Sequence, residues 1–182
     1  DRRPRRTEQQ SLARRVREDV RVAAAEAERL GYRVLNLGSF LKGETRHVAT
    51  VLAGIVRSVR QDSVPYPPPL CLLSGGETTV TLPGVHGKGG RNVEFVLASL
   101  LELGRLDRVV VLSGGTDGED GPTDAAGAVV DVSFWEKLDD RSISDHLERH
   151  DAYTLFDATG DLIRSGLTGT NVMDVRVILV GE

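Results

Sequence analysis

The chain has 182 residues, 40% of them hydrophobic and 27% charged, with a formal net charge of −4 at pH 7. This composition excludes a disordered or collagen-like chain, and no apolar run approaches the ~20 residues of a membrane helix. No signal peptide is visible, and the single cysteine, Cys71, cannot form an internal disulfide. We therefore expect a protein of a reducing, cytoplasmic compartment.

The positive charge is concentrated at the start of the chain, where residues 1–21 carry eight arginines against four acidic residues. A basic arm can mark a nucleic-acid partner. Here no aromatic residues interleave with the arginines and no second basic stripe follows. We therefore interpret the arm as a solvated helix start, and expect neither a nucleic acid nor a membrane as partner.

The first third of the chain predicts a helix, a strand and a second helix. Apolar residues recur at helical spacing over Ser11–Leu30, and Gly31 follows where a helix favours a left-handed cap. Arg33–Leu37 predicts a short strand, and Glu44–Arg60 an amphipathic helix. The four prolines in Asp62–Pro69 predict a linker and the best candidate domain boundary.

Beyond the linker, strands alternate with glycine-rich loops and helices. Buried strands are predicted at Leu70–Leu73 and Arg108–Leu112. A strand with one solvent-exposed face is predicted at Thr79–Leu82, and an amphipathic helix at Arg91–Leu103. Later elements are expected at Ala128–Asp131 (strand), Ser133–Leu138 and Ser144–His150 (short helices), and Tyr153–Phe156 and Val175–Val180 (strands). The pattern predicts an α/β fold, a layered sheet with flanking helices and glycine-rich loops at strand ends.

Two of these loops are candidate anion sites, since glycines admit close approach and helix N-termini offer free N–H groups. The first follows a strand and is either a backbone nest or a tight turn. Its candidate residues are Gly75, Gly76 and Glu77. The second opens a helix with two cations, a placement that opposes the helix dipole unless an anion is bound. Its candidates are Lys88, Gly89, Gly90, Arg91 and Asn92.

Two further loops carry candidate polar ligands. Ser113–Gly127 is rich in glycine and acid, and its carboxylates are of the kind that hold Mg²⁺ or act in phosphoryl transfer. Its candidates are Thr116, Asp117, Asp120 and Asp124, with Asp117 and Asp120 as candidate metal ligands. In Gly166–Asp174, Thr170 and Asn171 either bind a ligand or cap a turn. The His146 and His150 pair is better explained as a solvated helix face.

Four motifs together resemble the C-terminal part of the class II glycerate kinases, the MOFRL domain, whose members are also named hydroxypyruvate reductases. The matching segments are Ser74–Val80, Gly87–Glu94, Ser113–Ala128 and Gly166–Asp174. The resemblance covers nearly all of the chain after about residue 20. It implies residues 70–182 as the MOFRL-like domain and residues 1–69 as a remnant of, or link to, a missing N-terminal domain.

The resemblance implies the C-terminal part of a glycerate 2-kinase, which transfers the ATP γ-phosphoryl group to glycerate and gives 2-phosphoglycerate, with ATP and Mg²⁺ as cofactors. It makes Arg91 the key cation, assisted by Lys88 and Asn92. Asp117, with Asp120 and Asp124, becomes a candidate for contact with the metal or the hydroxyl. Family members usually have Gln at the position of Val93 and Pro at that of Leu167. They also carry an essential lysine on an N-terminal domain that this chain lacks. A truncated product, a cut domain and one half of a split enzyme all stay open.

Two other functions are weighed against the kinase. A non-catalytic binding half would need the missing domain as partner or would self-associate. A hydroxypyruvate reductase would need a nicotinamide site, and the sequence contains no G-x-G-x-x-G loop with an acidic residue about 20 residues further on.

Overall fold

A computed structural model describes residues 18, 20–131, 133–138 and 140–182, and its centre is a six-stranded sheet of order β1-β2-β6-β3-β4-β5. The strands are β1 (Arg33–Asn36), β2 (Leu70–Gly76), β3 (Val109–Gly115), β4 (Gly127–Val130), β5 (Leu162–Ile163) and β6 (Asp174–Val180). The helices are α1 (residues 20–29), α2 (Thr45–Asp62), α3 (Arg91–Leu103), α4 (Phe134–Lys137), α5 (Asp140–Glu148) and α6 (Ala152–Thr159). The layered α/β fold expected from the sequence is confirmed.

The register of the three central strands determines where the loops meet. β1 and β2 are parallel, and β6 runs antiparallel to both β2 and β3, between which it lies. The first residue of β6, Asp174, is therefore opposite both Gly76 and Gly115, the last residues of β2 and β3. The loops that follow β2 and β3 therefore leave the sheet at the same end of these strands, beside the start of β6.

Two hydrophobic clusters hold the helices against the sheet. In the larger one, α2 packs on α3 through buried residues such as Val56 and Val59, and α3 buries Phe95 and Leu97 completely. α3 is buried over most of its length and contacts both α2 and the strands β3 and β4. In the smaller cluster, Val20 and Ala27 of α1 join Cys71 and other residues of the sheet.

The proline-rich segment connects two parts of one packing unit. β1 lies before it and pairs with β2 after it, and α2 before it shares a core with α3 after it. Residues 20–69 therefore complete the same sheet and core as residues 70–182. The first predicted helix is seen over residues 20–29, and residues 11–17 and 19 of it lie outside the described residues. Each helix within the described residues is too short or too polar to cross a bilayer.

Two predicted strands are wrong. Thr79–Leu82 forms no strand, because only an isolated bridge between Glu44 and Thr79 pairs it with the rest of the chain. Tyr153–Phe156 lies inside helix α6, which Gly160 ends in the left-handed conformation at φ 80°. The aromatic and β-branched content of this segment favoured a strand, but burial of one helical face outweighs that preference.

Candidate functional site

A cavity of about 580 Å³ opens where the loop after β2 meets the N-terminus of α3. The turn before α3 supplies one wall, the loop after β2 supplies another, and Gly121 and Pro122 come from the loop after β3. Its charged and titratable lining residues are Lys42, Glu77, His86, Arg91, Glu94 and His150. Three of the four motifs singled out in the sequence thus border one cavity.

The turn that enters α3 presents unused donors to this cavity. Gly89, Gly90 and Arg91 line it, and their backbone N–H groups make no hydrogen bond to any part of the chain that the structure describes. Free N–H groups at the start of a helix can donate hydrogen bonds to an anion. The turn also lies close to its neighbours, since a Cβ at Gly90 would be 2.4 Å from Asp120 Cγ.

The next two N–H groups of α3 are already bonded to Asp120. Its carboxylate accepts hydrogen bonds from the backbone N–H of Asn92 at 3.0 Å and of Val93 at 2.8 Å, and it is fully buried. Burial raises the pKa of Asp120 to about 6. Asp120 therefore caps the helix from another loop, and its oxygens are unavailable to a ligand or a metal.

Arg91 is held in place by Asp174. Its Nε lies 2.8 Å from Asp174 Oδ2 and its Nη2 lies 3.0 Å from Oδ1, a two-pronged ion pair. Glu77 approaches the same Nη2 at 3.6 Å from the loop after β2. The hydrogen bond to Asp174 raises the pKa of Arg91 above its usual value. The guanidinium stays one-quarter exposed and lines the cavity.

A second arginine, Arg176, contacts the same aspartate from the interior of the protein. Arg176 is 1% exposed, and its Nη2 donates to Thr78 Oγ1 at 2.9 Å and to Asp174 Oδ2 at 3.2 Å. Burial lowers the pKa of Arg176. Its Nε and Nη1 have no hydrogen-bond partner among the described residues, although the guanidinium lies over the Phe95 ring. Asp174 is thus shared by two arginines, one exposed to the cavity and one buried.

Asn92 does not reach the cavity, contrary to the sequence-based expectation that it contacts substrate. It is completely buried, and its side-chain amide donates to Asp120 at 3.3 Å and to Asp174 at 3.0 Å. Its Oδ1 accepts from Ser113 Oγ at 2.6 Å. The helical turn points this side chain toward the sheet, so Asn92 joins the two carboxylates instead of binding a ligand.

Lys88 and Asp124 lie on the far side of the same turn. The Lys88 ammonium is over the Tyr153 ring, 3.7 Å from its centroid, and its backbone N–H donates to Asp151. Asp124 accepts a hydrogen bond of 2.5 Å from the Tyr153 hydroxyl and one of 3.4 Å from Arg164. Neither Lys88 nor Asp124 is among the residues that line the cavity.

Asp117, Thr116, Thr170 and Asn171 meet at a separate junction between the loop after β3 and the loop before β6. Asn171 Nδ2 donates to Asp117 Oδ2 at 3.1 Å, and Thr116 Oγ1 donates to the Met173 carbonyl at 2.8 Å. Thr170 is exposed and bonds within its own loop. Of the three acidic candidates, Asp120 is the one that contacts the turn before α3 within the described residues.

The candidate metal pair does not fit a Mg²⁺ site. Asp120 is committed to the helix N-terminus, and Asp117 accepts from Asn171 and from the Glu119 N–H. Within the described ranges, no group of three or more His, Cys, Asp or Glu side chains is placed to hold a metal ion. The acidic loop is therefore a structural element of the α3 cap and of the junction with the loop before β6.

Gly75 and Gly76 belong to β2 itself rather than to a loop. They pair with Val175 and Asp174 of β6, and both are buried. Gly76 has a φ of 133°, and a Cβ there would lie 2.2 Å from the Leu41 carbonyl oxygen. These glycines allow the segment before α2 to lie against the end of β2, and they do not contact the cavity.

Sequence reasoning missed an ionic cluster on the cavity wall. Glu94 is 3% exposed, and its two oxygens lie 2.8 Å from Arg46 Nε and 2.8 Å from His150 Nδ1. Arg46 also donates through Nη2 to the Leu147 carbonyl. One signal was available in the sequence: a glutamate on the buried face of α3 requires a partner. Lys42, which precedes α2, was missed as well.

Comparisons with known proteins agree on one family. The MOFRL family model matches residues 70–174. A protein named putative hydroxypyruvate reductase from Agrobacterium vitis is 44% identical over 162 residues, and a glycerate 2-kinase from Pyrococcus horikoshii is 38% identical over 159 residues. The crystal structure of a glycerate kinase from Thermotoga maritima is 34% identical and superimposes with a TM-score of 0.85, covering 91% of this chain.

These relatives are much longer than this chain. The alignments cover 87% and 86% of the chain but only 37% of the Agrobacterium protein and 36% of the Pyrococcus protein. The Thermotoga crystal structure is covered to 40%. The chain therefore corresponds to less than half of the length of each.

Proposed function

The chain belongs to the MOFRL family, and from this premise we propose that it is the C-terminal part of an ATP-dependent glycerate 2-kinase. The proposed reaction moves the γ-phosphoryl group of ATP to glycerate and gives 2-phosphoglycerate. Relatives named glycerate kinase, among them the Pyrococcus and Thermotoga proteins, support the proposal. We place the protein in the cytoplasm, because its cysteine is free and buried.

The observation that carries the proposal is the anion-binding turn before α3. Gly89, Gly90 and Arg91 offer three free N–H groups, and the Arg91 guanidinium lines the same cavity. Asp174 fixes the direction of this guanidinium, so little side-chain freedom is lost when an anion binds. The donor set fits one carboxylate or one phosphoryl group, the two anionic groups that a glycerate kinase must bind.

ATP and Mg²⁺ are part of the proposal as substrates of the assembled enzyme. Lys42 and Arg91 are the cavity residues that would contact a transferred phosphoryl group. Mg²⁺ is assigned to the phosphates of the nucleotide rather than to Asp117 and Asp120, whose oxygens are already bonded within the chain. When bound, the ion would neutralise phosphate charge.

The geometry of this site gives less support to a reductase activity, the function named for the Agrobacterium relative. A dinucleotide pyrophosphate binds to the first N–H groups of a helix after a parallel strand. Here α3 uses the N–H groups of Asn92 and Val93 to bind Asp120, and β6 runs antiparallel between β2 and β3. A binding half without turnover of its own is compatible with the same geometry, and the experiment below separates it from the kinase.

Two measurements test the proposal. Titration of the ¹⁵N-labelled chain with 2-phosphoglycerate should shift the amide resonances of Gly89, Gly90 and Arg91, whereas NADH should leave them unchanged. The chain is then co-expressed with the region of the Thermotoga glycerate kinase that the alignment leaves uncovered, and ADP release is measured with glycerate and MgATP. Binding without ADP release would leave only the binding half, and shifts caused by NADH alone would support the reductase.

A further inference from the structure

The Glu94 and His150 pair on the cavity wall has the arrangement of a carboxylate-oriented imidazole. His150 Nδ1 lies 2.8 Å from Glu94 Oε2, and the two side chains are 12% and 3% exposed. They come from α3 and from the turn that follows α5, 56 positions apart in the chain. Both residues line the cavity beside the anion-binding turn.

The chemistry of this contact fixes the imidazole tautomer. An ionised carboxylate only accepts hydrogen bonds, so His150 Nδ1 must carry the proton that Glu94 accepts. The lone pair is then on Nε2. Arg46 stands 2.8 Å from the other Glu94 oxygen and balances its charge. Because this balance exists without a charged imidazole, a neutral His150 leaves the cluster electrically compensated.

The backbone places His150 directly against the anion-binding turn. Its φ is 53°, a left-handed value that costs free energy in a residue other than glycine. A Cβ at Gly89 would lie 3.1 Å from the His150 carbonyl oxygen. The backbone of His150 is therefore in contact with the turn, and both His150 and Gly89 line the cavity.

We propose that His150 accepts the proton of the substrate hydroxyl during phosphoryl transfer and that Glu94 is its positioning residue; this rests on the proposed kinase function. In the step, the 2-hydroxyl O–H bond breaks and its proton moves to Nε2. The freed oxygen bonds to the γ-phosphorus of ATP while the bond from that phosphorus to the β,γ-bridging oxygen breaks. ADP leaves, no electron is exchanged, and the imidazolium later returns its proton to water.

The charged groups around His150 come from every element that packs on it. Arg46 approaches from α2, with Nη2 3.0 Å from Nδ1 and 3.3 Å from Nε2. Glu94 approaches from α3, and Asp151 is the next residue in the chain. Arg46 and Glu94 thus bring one positive and one negative charge to the ring.

The test uses the full chain and nuclear magnetic resonance of ¹⁵N-labelled histidine side chains. The His150 signals are assigned by their loss in His150→Gln, and His47, His86 and His146 serve as internal controls. We expect His150 with a proton on Nδ1 and none on Nε2 at neutral pH. Glu94→Gln should abolish this preference.

Two probe molecules then separate hydroxyl recognition from carboxylate binding. D-glycerate should shift both the Gly89–Arg91 amides and His150 Nε2. The analogue 3-hydroxypropionate keeps the carboxylate but lacks the 2-hydroxyl, so it should shift the turn amides and leave Nε2 unchanged. A structural role alone would give no such difference between the two probes.

Each other outcome overturns the assignment. Turn amides that respond to glycerate while Nε2 does not would remove His150 from the reaction and leave the proposed function standing. An equal response of Nε2 to both probes would show sensitivity to the carboxylate, and a proton on Nε2 would exclude the acceptor role. If neither the turn nor His150 responds to glycerate, the proposed function fails along with the inference.

Discussion

Arg91 and Asp174 form a two-pronged ion pair, with Nε to Oδ2 at 2.8 Å and Nη2 to Oδ1 at 3.0 Å, although 83 positions separate them in the sequence. The pair joins the first residue of α3 to the first residue of β6. Arg176 contacts the same carboxylate from below. The direction of the cavity-lining guanidinium is thus set by a strand in the middle of the sheet.

Replacing Arg91 by lysine should weaken anion binding even though the charge is kept. A lysine ammonium cannot hold Asp174 with two parallel bonds and still present donors to the cavity. We expect at least about a tenfold loss of 2-phosphoglycerate affinity in the chain, about 1.4 kcal/mol, and a similar loss of turnover in the assembled enzyme. Isothermal titration calorimetry measures the first and ADP release the second.

The matched control is Arg57→Lys. Arg57 lies on α2, is exposed and donates to the Glu102 carbonyl at the other end of α3. Its replacement should leave the affinity unchanged. Equal affinities for wild-type chain and Arg91→Lys would exclude Arg91 from the site.

Asp174→Asn should destabilise the fold strongly. Asp174 is completely buried, and the substitution removes its negative charge. Arg176 is then left without a counter-charge in the interior. Breaking a buried ion pair in this way costs about 3–5 kcal/mol. Urea unfolding measures the loss. In Asp107→Asn, where the carboxylate is 64% exposed and pairs with Arg60, we expect less than about 0.5 kcal/mol. Similar values for both variants would contradict this account.

Asp120 should make stability depend on pH between about 4 and 6. Its pKa is raised from 3.8 to about 6 by burial, so the folded protein favours the protonated carboxyl. The contribution of Asp120 to the free energy of unfolding is therefore complete below pH 3.8, and it is lost as the pH rises through 6. The shift corresponds to a loss of about 3 kcal/mol across this window. Urea unfolding at a series of pH values measures it.

The Asp120→Asn variant isolates this effect, because every other titrating group is unchanged. The difference in unfolding free energy between wild-type chain and variant should vary with pH in that window and be constant above it. A constant difference from pH 4 to pH 7 would show that Asp120 titrates at its ordinary value.

Cys71 should be inert in the folded chain. It is fully buried in β2, and burial raises the pKa of its thiol to about 11. The thiolate, the reactive form, is thus scarce at pH 8. We expect no reaction with a thiol-specific disulfide reagent at this pH until urea unfolds the chain. Rapid labelling of the folded protein would mean that the region around α1 and β2 opens readily.

The chain alone should fold but not turn over. Its described residues form one sheet with two hydrophobic clusters packed on it, so we expect a cooperative thermal melt. Phosphoryl transfer needs groups that hold both reactants, and the cavity offers donors for one anion. We therefore expect no ADP release from glycerate and MgATP by the purified chain. A cooperative melt accompanied by robust turnover would show that the catalytic set is complete here.

Most of the secondary structure followed from local pattern. The bounds of α3 are those predicted, because its apolar spacing is regular and Gly90 and Gly104 stand at its ends. The failures lie where a segment lacks a partner or changes its period. Thr79–Leu82 alternates like a strand but has no neighbouring strand, and Tyr153–Phe156 has strand-forming residues within a short helix.

The candidate site was predicted only in part, because a motif identifies a loop but not the direction of its side chains. Glu77 and Arg91 line the cavity, whereas Asn92, one residue further on, points inward by the helical rotation. Asp120 was expected to bind a ligand and instead caps α3. The contact of His150 with Glu94 depends on the packing of α5 on α3, which no local pattern reveals.

The central position of β6 has a consequence for biosynthesis. On the ribosome, β1 and β2 emerge early and β3, β4 and β5 later, but the two groups share no direct strand pairing. The sheet is complete only when residues 174–180 have inserted between them. Until that moment the edges of β2 and β3 are unpaired and open to other chains. A chain in which β6 has not yet inserted should therefore depend on chaperones, and Arg91 receives its aspartate at the same step.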